Sequence, residues 1–120
     1  MIFMMSAFFM KRRIQKHLRR IEKYGEIPED LKAVADAYAQ AAETASAIAV
    51  YQRAIEAYYC EGARVGKENA FIFETCHRLL AIDPLNALAY QTLGQEYCGV
   101  NAFDTASRLY QVFAKKLVDA

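Results

Sequence analysis

Residues 87–120 read ALAYQTLGQEYCGVNAFDTASRLYQVFAKKLVDA, and the main prediction about the fold rests on this stretch. Before Gly99, the apolar and aromatic residues recur three or four positions apart, which places them on one face of a helix. The same spacing resumes after Asn101 and continues almost to the end of the chain. Because the turn between the two patterns is short, we predict two helices that pack antiparallel as a hairpin.

The 34 positions of this stretch resemble the tetratricopeptide repeat (TPR), a helical hairpin with a characteristic order of large and small residues. The usual terminal proline of the repeat is absent, because Val118 stands in its place. In a TPR the small positions lie where the two helices approach most closely, and aromatic residues fill the remaining space. The matching residues are Tyr90, Leu93, Gly94, Tyr97, Ala106 and Tyr110.

Two weaker copies precede this one. Residues 28–61 carry the pattern with Ala35 in the place of the glycine, and residues 53–86 carry only its second half. The middle copy therefore lacks a first helix of its own, and the helix before it would have to serve twice. An alternative phase pairs the helices one with two, three with four and five with six. The sequence leaves both phases open.

The whole chain is expected to be all-α, with antiparallel hairpins stacked as a short TPR-like array of about six helices. Helix-forming residues dominate, and the chain has only two prolines and five glycines. We expect a basic segment at residues 1–24 and a TPR-like domain at residues 25–120. The predicted helices cover residues 6–24, 28–42, 45–62, 67–82, 86–98 and 103–118, with a break between Gly62 and Gly66.

Composition argues against catalysis and against a metal or cofactor. Cys60, Cys76 and Cys98 are far apart, and the chain has only two histidines, so zinc-ligand spacing is missing. The neighbours Cys76 and His77 would point about 100° apart on a helix, which is unsuitable for a nucleophile and its base. No glycine-rich phosphate loop is present. We therefore expect a binding protein with no catalytic, cofactor or metal site.

The N-terminus combines an apolar run, MIFMMSAFFM at residues 1–10, with a basic segment. The run is about half the length of a membrane span, and its charges follow rather than precede it, unlike a secretory signal. We therefore expect a cytoplasmic protein. Residues 11–23 hold seven cations and one acid, whereas the remaining chain is net acidic. The cations are Lys11, Arg12, Arg13, Lys16, Arg19, Arg20 and Lys23.

The resemblance to TPR proteins implies that the first helix of each repeat lines a groove for a peptide or protein. The alternative is that these residues are simply solvated helix faces. In the first copy the resemblance assigns Glu29, Lys32, Ala33, Asp36 and Gln40 to the groove. In the last copy it assigns Leu88, Gln91, Thr92, Gln95 and Cys98. No small-molecule substrate is expected.

We therefore predict a protein-interaction scaffold, an adaptor or a chaperone-like module in a larger assembly. Its last helix has no polar capping helix after it, so Tyr110, Phe113 and Leu117 are expected to be partly uncovered. A homodimer, or a partner that completes the array, would cover them. The alternative function uses the basic helix, which could lie along the acidic body, dock an acidic or phosphate-bearing partner, or contact a membrane surface or nucleic acid.

Overall fold

The computed structural model describes the backbone of residues 2–60 and 70–120 and the side chains of residues 11–60 and 70–120. Within these ranges the chain forms six α-helices and no strand. Their bounds are α1, Ile2–Tyr24; α2, Pro28–Gln40; α3, Thr44–Cys60; α4, Ala70–Ile82; α5, Ala87–Gly99; and α6, Phe103–Asp119. The predicted all-α class with about six helices is confirmed.

The helix boundaries follow from a few residues. Gly25 ends α1 with a φ of 88°, a left-handed conformation that glycine adopts without steric cost. Pro28 occupies the first turn of α2, where its missing N–H has no helical partner to lose. Asn86 caps α5, because its side chain accepts a hydrogen bond from the Ala89 N–H at 3.0 Å. These local signals explain why most predicted boundaries fall within two residues of the observed ones.

The chain divides into two compact units, Met1–Glu61 and Gly62–Ala120. In the first unit α2 packs against both α1 and α3. Its core consists of apolar side chains on the facing sides of α2 and α3, all 2% exposed or less. These residues are Leu31, Val34, Ala35, Ala47, Tyr51, Ala54 and Ile55. The basic segment is thus part of the first unit. We expected a boundary after residue 24, but the two units divide after Glu61.

In the second unit α5 packs against both α4 and α6. Ile72, Cys76 and Leu79 of α4 are fully buried, as is Leu93 of α5. Gly94 is buried beneath the ring of Tyr110, which lies where a larger residue at position 94 would place its side chain. The predicted hairpin of residues 87–120 is therefore present, with its small residues at the helix contact.

The α2–α3 and α5–α6 hairpins share the same turn. Ala42 and Asn101 adopt left-handed φ values of 61° and 62°. In each turn the next residue donates its N–H to a carbonyl oxygen five residues earlier, at 2.9 Å in the first hairpin and 2.8 Å in the second. This hydrogen bond is the one that closes a helix with a Schellman motif. Both hairpins thus reverse direction by the same backbone geometry.

Equivalent positions in these two hairpins are separated by 59 residues. Ala47 and Ala106 are both buried at the start of the second helix of the hairpin, and Tyr51 and Tyr110 follow four positions later. The two stretches that carry the clearer sequence pattern, 28–61 and 87–120, thus each contain a helical hairpin. Residues 61–69 of the middle copy, 53–86, lie outside the described residues. The predicted break between Gly62 and Gly66 falls within them. The pairing of α3 with α4 stays a prediction.

Candidate functional site

Several cations of α1 are exposed near one another along the helix. Lys11, Arg12, Arg13, Lys16 and Arg19 are all solvent-exposed on a helix that continues unbroken from the apolar N-terminal run. A depression on this side is lined by Arg12, Arg13, Gln15, Lys16 and Arg19. Four positive charges around one depression favour an anionic ligand surface. We call Arg12, Arg13, Lys16 and Arg19 the basic surface.

Arg20 plays a different part from these cations, because it binds Asp30 in the first turn of α2. Arg20 Nε donates to both carboxylate oxygens of Asp30, at 3.2 and 3.3 Å. His17 Nδ1 lies 2.8 Å from Asp30 Oδ1. The Asp30 side chain is only 8% exposed, while those of Arg20 and His17 are 50% and 25% exposed. This group attaches the basic helix to the first unit, so Arg20 serves the fold rather than a docking surface.

The same group sets the pKa of Asp30. Burial by itself would raise the pKa of this carboxyl, but hydrogen bonds from His17 and Arg20 and the charges of both outweigh burial, so the pKa lies below its usual value of 3.8. Because the folded pKa is lower than the unfolded one, the ionised carboxylate stabilises the fold above about pH 4. That contribution is lost as pH falls through the folded pKa.

We therefore expect Asp30→Asn to lower the free energy of unfolding by about 1 kcal/mol at neutral pH, since its charged partner Arg20 is half exposed to solvent. The difference between wild type and variant should shrink as pH falls below about 4. Urea denaturation at several pH values measures both effects. Glu56→Gln, at an exposed position, is the matched control and should change little. An equal gap at neutral pH and at about pH 3 would refute this account of Asp30.

On α2, the predicted groove residues are mostly engaged within the unit. Lys32 Nζ lies 3.4 Å from Asp36 Oδ2, and Tyr51 donates its hydroxyl hydrogen bond to Asp36 Oδ1. Lys32 and Asp36 are half-buried, as is Ala33. Asp36 thus connects α2 to α3, which favours a structural role over ligand contact. Glu29 and Gln40 are exposed and remain available to a partner.

On α5, the predicted groove residues separate into exposed and buried members. Gln91, Gln95 and Cys98 are exposed, and their spacing places them along one side of the helix. Leu88 is half-buried beside them. Thr92 is only 4% exposed, so its assignment to a groove surface is wrong; the helical rotation turns it toward the interior. The α5 and α2 sets belong to different units, and each is described by itself.

An uncovered apolar surface in the described part of the second unit lies on α6. Phe103, Tyr110 and Leu117 are 59%, 41% and 51% exposed. They recur at seven-residue intervals, which places them on one side of the helix. Phe113 is half-buried and stacks on Tyr90 with ring centroids 4.4 Å apart. The predicted exposure of this helix is confirmed for Tyr110 and Leu117, and Phe103 extends it. We call Phe103, Tyr110 and Leu117 the α6 face.

Cys76 lies in the core rather than in a reactive site. It is fully buried, and the pKa of its thiol is raised to about 12, first by burial and then by the negative charge of Glu96. A thiol with so high a pKa stays protonated at neutral pH and is a poor nucleophile. The neighbouring His77 is exposed. The burial of Glu96 was not foreseen, because one glutamate within a helix carries no sequence signal for it.

Among residues 11–60 and 70–120, no three His, Cys, Asp or Glu side chains are grouped so that they could hold a metal ion. None of the described helices has the length and apolar character needed to cross a membrane. The three cysteines are free thiols, with Cys60 and Cys98 exposed. Comparisons with protein-family models, with curated proteins and with solved structures find no match to this chain.

Proposed function

We propose that this chain is a TPR-like scaffold that binds other proteins through preformed helical surfaces, as an adaptor or chaperone-like module in a larger assembly. The α6 face is the observation that carries the proposal. Of the 17 residues of α6, only Ala106 is buried, whereas three large side chains on one stripe are 41% exposed or more. An exposed apolar stripe on a helix favours burial against a partner.

The corresponding position in the first unit supports this interpretation. Tyr51 is the equivalent of Tyr110 and is 2% exposed, compared with 41% for Tyr110. Two tyrosines at the same place in the same hairpin thus differ in burial. The Tyr110 side chain presents an aromatic ring and a hydroxyl group, a combination that is enriched at protein interfaces. We propose that a protein partner covers Tyr110 in the assembly.

A polar surface accompanies the apolar one in this proposal. Gln91, Gln95 and Cys98 of α5 offer an uncharged stripe, and Glu29 and Gln40 are the accessible groove residues of α2. We propose that the α5 stripe contributes hydrogen bonds around an apolar contact, as the rim of an interface does. Exposed free thiols at Cys60 and Cys98 suit the reducing conditions of the cytoplasm, where we place the protein.

Site-specific photo-crosslinking tests the proposed function. A photoreactive phenylalanine analogue replaces Tyr110 in one variant and Arg108 in a control variant, since Arg108 is exposed on the other side of α6. After illumination in the native cell, we expect covalent protein adducts from position 110, identified by mass spectrometry, and few from position 108. Equal yields from the two positions, or no adduct from position 110, would contradict a binding role for the α6 face.

A second candidate function rests on the basic surface. Four cations surround one depression on a helix that continues into an apolar run, a composition typical of interfacial helices. We propose, as the alternative, that α1 associates with an anionic membrane surface. Nucleic acid is the less favoured binding partner, because no side chain that could read bases accompanies the cations.

Vesicle sedimentation separates this alternative from the first. Lys16→Glu/Arg19→Glu should reduce binding to vesicles containing anionic lipid by at least about ten-fold, because each cation contributes about 1 kcal/mol near such a surface. The matched control, Arg78→Glu/Arg108→Glu, removes two exposed cations elsewhere and should bind as wild type does. The basic surface would be contradicted if high salt left vesicle binding unchanged, or if both double variants lost vesicle binding equally.

A further inference from the structure

One side of α1 carries a continuous row of cations. Four cations recur along the helix at intervals of four, three and four residues, and all are exposed. They are Arg12, Lys16, Arg19 and Lys23. Because successive helix positions are about 100° apart, these side chains fall within an arc of about 60°, and every other residue of 11–24 lies outside that arc. The four charges therefore form a row about 16 Å long, which we call the outer row.

The opposite side of the same segment is already used within the first unit. Among residues 11–24, only Ile14, His17 and Ile21 are shielded from solvent, and they lie about 180° around the helix from the outer row. His17 bonds Asp30 of α2, and α2 packs against α1, so this is the side that faces α2. An interfacial amphipathic helix buries its apolar side in the bilayer, which here would first require α1 to separate from α2.

The charges of the first unit are separated along the same direction. Residues 11–24 hold seven cations and one acid, whereas residues 25–60, which contain α2 and α3, hold two cations and six acids. The outer row points away from α2, so an anionic surface attracts the row and repels the acidic remainder of the unit. The helix continues without a break into the apolar run of residues 2–10, which favours a lipid bilayer over nucleic acid as that surface.

We propose that α1 binds an anionic lipid bilayer through the outer row, by charge, while its apolar side stays packed on α2. The inference rests on the membrane-binding alternative proposed above, and it names the side of the helix that meets the lipid. Lys23 belongs to that side, and Arg13 does not. Residues 11–24 thus act as a peripheral electrostatic contact, not as an inserted amphipathic helix, and the first unit binds without opening.

Charge reversal on different sides of α1 tests the contacting face. The row variant is Arg19→Glu/Lys23→Glu. The flank variant, Lys11→Glu/Arg13→Glu, makes the same charge change about 100° to either side of Arg12. In sedimentation of the full chain with vesicles of phosphatidylcholine and about one quarter phosphatidylserine, the row variant should bind at least about ten-fold more weakly than wild type. The flank variant should lose no more than about three-fold, because its charges are farther from the bilayer and are screened by salt. Circular dichroism checks that both variants keep their helices.

Fluorescence quenching tests whether the first unit stays closed. The exposed Cys60 and Cys98 are replaced by serine, and the buried Cys76 is left. A fluorophore is then attached to Lys16→Cys in one protein and to Leu18→Cys in another, since Leu18 is 44% exposed on the side away from the outer row. Nitroxides on the lipid headgroups should quench position 16 more strongly than position 18. Strong quenching of position 18 by nitroxides on the acyl chains would mean that the apolar side has entered the bilayer, which overturns the proposal.

The vesicle experiment distinguishes failure of this inference from failure of the membrane-binding function. A wild type that binds the anionic vesicles, with equal losses in the row and flank variants, overturns the outer row and leaves membrane binding standing. A wild type that binds no anionic vesicle, or that binds vesicles of phosphatidylcholine alone equally well, overturns both. Binding to a duplex oligonucleotide without binding to vesicles identifies nucleic acid as the partner and likewise overturns both.

Discussion

Replacing Tyr51 with alanine is expected to lower the free energy of unfolding by about 4 kcal/mol, the largest effect that we predict for a single substitution in this protein. Tyr51 is 2% exposed and is among the largest fully buried side chains. Its removal leaves a cavity between helices and leaves Asp36 without the hydroxyl donor that connects α3 to α2. Urea denaturation followed by circular dichroism measures the change.

Tyr51→Phe separates the two contributions, since it keeps the ring and removes only the hydroxyl. We expect it to cost about 1.5–3 kcal/mol, the usual range for a hydrogen bond to a charged group. The difference between the two variants then reports the packing of the ring. If alanine proves no more costly than phenylalanine, the ring does not fill the core as described. Tyr59→Phe, a hydroxyl deletion at a half-buried position of the same helix, serves as a comparison.

Introducing valine at Gly94 is expected to cost about 2 kcal/mol, because the side chain of Tyr110 occupies the space that the valine would need. A Cβ atom at this position would overlap the Tyr110 ring, whose Cε2 atom would lie only 2.8 Å away. The ring would have to leave its place on α5. Gly94→Ala should cost less, since alanine has a helix propensity about 1 kcal/mol better than glycine, which offsets part of the overlap. Thermal and urea unfolding measure both variants.

A double-mutant cycle identifies the cause of this cost. In a Tyr110→Ala background the obstructing ring is gone, so Gly94→Val should cost at least about 1 kcal/mol less than in wild type. Equal costs in both backgrounds would show that Tyr110 does not limit the space at Gly94. The same cycle tests the TPR-like interpretation of the last hairpin, which requires a small residue on α5 beneath an aromatic one on α6.

The three stability predictions concern different contacts and so test different parts of the molecule. Substitution of Asp30 tests the attachment of α1 to α2. Substitution of Tyr51 tests the α2–α3 contact, and substitution of Gly94 tests the α5–α6 contact. Substitutions at such separate sites should add nearly independently within a unit. A variant of Asp30 combined with Tyr51→Phe should therefore lose about the sum of the two single costs.

Local sequence was sufficient to predict the helices. Pro28, Gly25 and the Asp83-Pro84 pair restrict the backbone at their own positions, so their effect on helix ends does not depend on the remaining chain. The hairpin of residues 87–120 was likewise predictable, because the small residue at 94 and the short turn act between neighbouring segments. The first helix is longer than predicted and begins at Ile2 rather than near Ser6, since its apolar run has no helix-stop signal.

The candidate site was less predictable than the fold. Glu29, Gln40, Gln91 and Gln95 are exposed as a groove assignment requires, but Thr92 is buried and Asp36 is engaged with Tyr51. A small error in the orientation of a helix moves a residue from its surface to its interior, because neighbouring positions differ by about 100°. The spacing of apolar residues defines the orientation of a helix only approximately. A prediction from sequence therefore goes wrong first for individual surface residues.

The helical class, most helix ends and the two hairpins α2–α3 and α5–α6 follow from the sequence alone, because each depends on residues close together in the chain. The structure was needed to see that Asp30 is held by His17 and Arg20 and that Glu96 is buried, since both depend on side chains from another helix. It also showed that Tyr51 is covered, whereas the exposure of Tyr110 is expected from the sequence. The two tyrosines occupy the same position in one local sequence pattern. Their burial differs because it depends on which surface lies opposite each side chain, and the spacing of residues in the sequence does not specify that surface.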